Sequence, residues 1–198
     1  MNQTFQDEDW LWIKNFYEGD QSAFENIFNK YKVKVVNLAY HFVKQKEAAE
    51  DIAHDVFIKI YEKKFNKDPK AKFSTWLYRV TVNASLDILR KKKFTPHSLD
   101  ETLQNQEGGE TTLLEKLANS ADSSAQVLQD QELKMIVRKE IEKLPENLKI
   151  PVLLYQFEGL PYKEIAAIMK VTEKAVEKRI YHAKEHLRRT LSKYYKSL

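Results

Sequence analysis

Cysteine is absent from the 198 residues, which excludes a disulfide framework and any thiolate metal site. Only four glycines and five prolines are present, too few for the turns of an all-β sandwich and for a glycine-rich phosphate cradle. The longest apolar run, Ile150–Tyr155, is interrupted by Pro151 and falls far short of the ~20 residues a membrane span needs. The opening residues MNQTFQDEDW are acidic and lack the apolar centre of an export signal. What remains, 42% hydrophobic and 31% charged residues, is enough to bury a core and stay dissolved. The expectation is a cytoplasmic, all-α protein with no membrane insertion.

Charge is distributed in blocks. Residues 1–94 carry 17 Lys and Arg against 13 Asp and Glu; residues 95–131 carry 1 against 7; residues 132–198 carry 15 against 9. Two basic blocks flanking an acidic one is an unusual plan for a single catalytic domain and points to a polyanionic partner. The acidic stretch, with Pro96, Gly108, Gly109 and many Ser, Thr, Gln and Asn residues, cannot bury enough surface to offset its chain entropy. It reads as a flexible linker, 95–131, between an N-terminal domain, 1–94, and a C-terminal domain, 132–198.

The N-terminal block is periodic in the helical sense. Phe24, Ile27, Phe28, Tyr31, Val35, Leu38 and Phe42 recur at three- and four-residue steps after Asp20 or Ser22, either of which suits an N-cap. A second helix carries Ile52, Val56 and Ile60, with Glu47, Glu50, Asp51 and Asp55 in its first turns. A third is expected over about 74–93, with Leu77, Val80, Ala84 and Ile88 as its buried stripe. Trp10 and Trp12 begin a short extra helix ending near Gly19. In the third helix Phe73, Trp76 and Tyr78 stand beside Arg79 and Asn83, and Arg90, Lys91, Lys92 and Lys93 close it. Rings that stack on unpaired bases, interleaved with cations that neutralise phosphate, are what single-stranded nucleic acid requires. Taken alone, Trp76 could equally be a core residue.

The C-terminal block reads as a helix-turn-helix module. A helix over about 131–144 stops at Pro145; a second reaches about Phe157, with Gly159 placed for a left-handed helix end; a third covers 161–169. A tight turn at Lys170-Val171 leads to Thr172, a good N-cap, and a long final helix with Val176, Ile180, Ala183, Leu187 and Leu191 inward. That helix offers Lys174, Lys178, Arg179, His182 and Lys184 outward, the pattern of a recognition helix in a DNA major groove.

Enzymatic readings find little support. Asp51-Ile-Ala-His54 is half of a carboxylate-bridged metal motif with no second copy. His182 and His186 are four apart but lack a third ligand. No P-loop, dinucleotide fingerprint or nucleophile elbow occurs. No catalytic residue, metal or cofactor is expected.

Three strings, in order, carry a more specific signal: AAEDIAHDVFIKIYEKK, FSTWLYRVTVNASLDILRKKK and LPENLKIPVLLYQFEGLPYKEIAAIMKVTEKAVEKRIYHAKEHLR. Together they resemble bacterial sigma factors of the extracytoplasmic-function (ECF) branch over nearly the whole chain. The resemblance implies two small helical domains on a tether that bind core RNA polymerase and direct it to promoter DNA, both duplex and melted non-template strand. It places Glu50, Asp51, Asp55, Val56 and Phe57 against the polymerase. It places Phe73, Trp76, Arg79, Asn83, Arg90, Lys91, Lys92 and Lys93 at the −10 element, and Thr172, Lys174, Lys178, Arg179 and His182 at the −35 element. It further implies an anti-sigma partner. The chain departs from the family pattern at Lys170, where relatives often have Gly, at Pro161, which removes a side-chain cap, and at Ala175 and Glu177, which bear on −35 preference. The alternative is a stand-alone helix-turn-helix regulator whose N-terminal bundle dimerises or senses a signal; such a duplex binder would not need the aromatic-basic segment 73–93.

Overall fold

The computed structural model of the chain describes residues 7–62, 71–94 and 135–195. The expected linker 95–131 lies outside them, as do residues 131–134 of the helix expected over 131–144. The described residues form eight helices and no strand: α1 (Glu8–Tyr17), α2 (Gln21–Val43), α3 (Lys46–Tyr61), α4 (Phe73–Phe94), α5 (135–142), α6 (Glu146–Gln156), α7 (Tyr162–Met169) and α8 (Glu173–Tyr195). By contact they divide into two units, Met1–Phe94 with Pro145–Lys184, and Thr95–Leu144 with Glu185–Leu198.

The first unit is built on α2, which packs along α1, α3 and α4. Its inward residues Ile27, Tyr31, Val35, Leu38 and Phe42 meet Ile52, Val56 and Ile60 of α3 and Leu77, Tyr78 and Val82 of α4, all buried. Asp20 is the N-cap of α2, accepting from the Ser22 amide at 3.0 Å and the Ser22 hydroxyl at 2.6 Å. Those hydrogen bonds, first the side-chain one, lower its pKa. Helix α2 ends on Lys44 in the left-handed region (φ 58°), where a Cβ is tolerated at a cost.

Helix α4 is rotated relative to the sequence expectation. Its fully buried residues are Phe73, Leu77, Tyr78, Val82 and Leu86, with Thr75, Thr81 and Ser85, whereas Val80, Ala84 and Ile88 are only half-buried. The reason lies in the hydroxyls. Thr81 Oγ1 donates to the Leu77 carbonyl at 2.9 Å and Ser85 Oγ to the Thr81 carbonyl at 2.8 Å. Such back-bonding satisfies both groups without water, so they can enter the core.

In the same unit, α6 and α7 pack on each other and α7 packs on α4. The α7–α8 connection is three residues long. Lys170 takes the left-handed conformation (φ 55°, ψ 45°), and the Val171 amide reaches back to the Ala166 carbonyl at 3.0 Å, the six-to-one bond of a Schellman ending. Pro161 starts α7 with no side-chain cap. Thr172 caps α8, its Oγ1 accepting from the Ala175 amide at 3.2 Å. In the second unit, Ile141 and Leu144 are buried, and Glu140, also buried, pairs with Lys143 at 2.6 Å.

Candidate polymerase and nucleic-acid surfaces

Three surfaces carry the residues singled out from sequence. The first is the outer face of α3. Glu50, Asp51 and Asp55 are exposed. Val56 and Phe57 are not: they are 0% and 5% exposed and belong to the core, which corrects their assignment as contact residues. Phe57 holds the surface from beneath, meeting the Phe28 ring edge-on with centroids 4.9 Å apart. What accompanies the carboxylates outside is apolar: Ile58 at 37%, Phe28 at 39% and Tyr61 at 56% exposure. Tyr61 also closes an aromatic cluster with Phe16 and Phe24. Periodicity sets Phe28 on the apolar stripe of α2; only its position at the rim of the packed α2–α3 pair leaves it, with Tyr61, partly open.

The second surface is on α4. Its buried stripe faces α2 and α3, so Lys72, Trp76, Arg79, Asn83, Asp87 and Arg90 fall on the opposite side by helical geometry. Asn83, Arg90 and Lys91 are exposed, and Trp76 and Arg79 are half-buried. The Nε of Arg79 is enclosed and has no hydrogen-bond partner among the described residues, an expense that an incoming acceptor would relieve. Arg90 lies near Asp87 at 3.6 Å and Glu146 at 3.7 Å. Lys92 and Lys93 continue the helix, but their side chains lie outside the described residues. Phe73 is the second correction: it is fully buried, its ring set against Trp10, Tyr31 and Trp76 at 5.3, 5.9 and 5.7 Å. It supports Trp76 from below and is not available to a base.

Helix α1 ties down the start of that surface. Asp7 caps α1 by accepting from the Asp9 amide and, with its other oxygen, accepts from the Phe73 amide at 2.7 Å. The Trp10 indole N–H donates to the Ala71 carbonyl at 2.9 Å. Asp9, buried, accepts from Lys30 at 2.5 Å and from the Tyr31 hydroxyl. Burial first, then that hydrogen bond and the Asp9 charge, push the Tyr31 phenol well above its ordinary range. The ties to Ala71 and Phe73 were not visible in the sequence, because their partners stand some sixty residues apart.

The third surface is α8. Thr172, Lys174, Lys178 and His182 are exposed and Arg179 is half-buried, on a helix whose Val176, Ile180 and Ala183 face inward. Tyr181, 61% exposed and beside His182, belongs to this face and was not singled out; an aromatic flanked by cations was the available signal. Glu177 is exposed on the same face. Among the described residues no group of three or more His, Asp or Glu could hold a metal, and no helix is long and apolar enough to cross a membrane.

Residues 27–95 match Sigma-70 region 2, and residues 134–187 match Sigma-70, region 4. The chain is 33% identical over 179 residues to the ECF RNA polymerase sigma factor SigW of Bacillus subtilis, covering 90% of this chain and 94% of the relative. It is 32% identical over 178 residues to the ECF RNA polymerase sigma-E factor of Escherichia coli, covering 89% and 91%. It is 30% identical over 186 residues to the RNA polymerase sigma-H factor of Pseudomonas aeruginosa, covering 94% and 95%. The chain is an ECF-type RNA polymerase sigma factor. Its fold is similar to that of CnrH, solved in complex with the cytosolic domain of CnrY, with a TM-score of 0.65 at 21% identity over 94% of this chain and 98% of that one. Region 2 thus takes in most of α2, α3 and α4, and region 4 the helix-turn-helix elements. The stand-alone regulator is accordingly disfavoured for this sigma factor.

Proposed function

We propose that this sigma factor docks on core RNA polymerase through the outer face of α3, holds unpaired −10 bases on the outer face of α4, and reads the −35 duplex with α8. The chain performs no catalysis of its own and acts in the cytoplasm. The N-terminal bundle and the helix-turn-helix elements work as separate domains, 1–94 and 132–198, when spread along a promoter by the 95–131 tether.

The observation that carries this reading is the make-up of the outer α4 face: a half-open indole, an amide at Asn83, the unsatisfied Arg79 Nε and terminal cations, on a helix whose other side is sealed in the core. Stacking on Trp76 lowers the free energy of an extruded base, while Arg79 and Arg90 attract the backbone that carries it. Promoter opening is then driven by binding, with no nucleotide hydrolysis. On α3, Glu50, Asp51 and Asp55 beside Ile58 and Tyr61 suit a partner surface with basic and apolar groups. A regulatory protein that covers this same face would block docking, and an anti-sigma partner is assigned to it on that ground. On α8, Lys174 and Lys178 meet phosphates, and Arg179 and His182 lie toward base edges.

The test is reconstitution with core polymerase on promoters selected in vitro, with permanganate reactivity marking unpaired thymines. Trp76→Ala is expected to cut the open fraction about tenfold, the effect of losing one stacking contact, while leaving polymerase binding intact. A holoenzyme that leaves every selected promoter closed, or a Trp76→Ala chain that opens them normally, would overturn the reading.

A further inference from the structure

Resting on the reading of α4 given above, we propose that Asp7 and Trp10 of α1 are positioning residues for promoter opening: together they set the entry of α4 and so the placement of Trp76. The first amides of any helix lack intrahelical partners, and the irregular chain before it must satisfy its own carbonyls. In α4 both needs are met from a distant element. The Phe73 amide donates to Asp7 Oδ2 at 2.7 Å, and the Ala71 carbonyl accepts from the Trp10 indole at 2.9 Å. The same Asp7 carboxylate accepts from the Asp9 amide and caps α1, so one side chain joins two helix starts.

The tie reaches Trp76 through the Phe73 ring. That ring is fully buried, edge-on to Trp10 at 5.3 Å and inclined against Trp76 at 5.7 Å. Phe73 and Trp76 are three residues apart, adjacent along one helical turn. A change in the seat of Phe73 therefore moves the indole that receives the base. Asp9 anchors α1 in turn, through Lys30 and Tyr31 of α2. Neither Asp7 nor Trp10 need touch DNA for this role.

The experiment uses full-length Asp7→Ala, Asp7→Asn and Trp10→Phe chains, each assembled with core polymerase and kept well below its melting temperature. Two probes are titrated: a non-template-strand oligonucleotide spanning −10, and a duplex spanning −35, both from a promoter selected by the wild-type holoenzyme. Asp7→Ala is expected to weaken the single strand by roughly three- to thirtyfold, the range of a lost helix cap, and to leave the −35 duplex unchanged. Asp7→Asn, whose one carboxamide oxygen can replace only one of the two accepting oxygens, and Trp10→Phe, which keeps an aromatic ring but loses the N–H, are both expected to fall between Asp7→Ala and wild type. Equal losses on both probes would reduce Asp7 and Trp10 to general stability. Unchanged single-strand affinity in both Asp7→Ala and Trp10→Phe would overturn the positioning role while Trp76→Ala still fails. If the wild-type holoenzyme itself ignored the single strand, the reading of α4 would be what had failed.

Discussion

Glu158 occupies a setting that carboxylates avoid. It is largely withdrawn from water between α6 and α7, with the Tyr78 hydroxyl and the Lys34 charge facing it, and burial raises its pKa in spite of both. A carboxyl with a raised folded pKa opposes folding once pH climbs above its unfolded value, near 4.5, and the penalty grows until the folded pKa is passed. Glu158→Gln is therefore expected to raise the melting temperature at pH 7, with the gain shrinking as pH falls toward 4.5; a pH series of thermal melts checks this. Lys170, like Lys44, is under backbone strain. Its left-handed backbone is one glycine adopts freely, so Lys170→Gly is expected to stabilise the fold by about 1 kcal/mol, read by urea denaturation.

At the scale of elements, α4 shows what patterning resolves and what it does not. The existence and approximate limits of the described helices, a cap at Asp20 or Ser22, the Thr172 cap and the tight turn at Lys170-Val171 were legible, because caps and breaks are local chemistry. The rotation of α4 was not. Hydropathy discards Thr81 and Ser85, yet their hydroxyls are satisfied within their own helix and take core positions. Thr81→Val, of similar volume and without the hydroxyl, is thus expected to leave the melting temperature unchanged or raise it. The opposite result would mean that Thr81 Oγ1 holds something beyond the Leu77 carbonyl. The same limit explains Phe73, Val56 and Phe57. The resemblance marked them as contact residues, and only packing shows that they are buried, with Phe73 set against the half-buried Trp76 and Phe57 against the partly open Phe28. Contacts from α1 to α4 span too many residues for any local pattern to carry them.

Among the described residues, the exposed carboxylates Glu50, Asp51 and Asp55 of α3 and the exposed cations of α4 and α8 are the groups proposed above to meet protein and nucleic acid respectively. Phosphate contacts release counterions, and each adds about one to the slope of log affinity against log salt. Lys174→Ala in the holoenzyme is expected to lower that slope by about one and to weaken all promoters alike; a change confined to some promoters would make Lys174 a base reader. Within the first unit the helix-turn-helix elements also meet the bundle, through Lys72 and Glu164 at 2.5 Å and through the His41 and Phe157 rings at 4.0 Å. The Glu164 hydrogen bond raises the Lys72 pKa, but the lysine is more than half exposed, so this pair is weak and yields to salt.

All three tryptophans of the chain, Trp10, Trp12 and Trp76, sit on α1 and α4. Intrinsic indole emission in the free protein therefore watches only the bundle, while far-ultraviolet circular dichroism sums every helix. Should α6 to α8 melt at their own temperature, the two spectroscopies will trace different curves, and the gap between them measures how independently those three helices unfold.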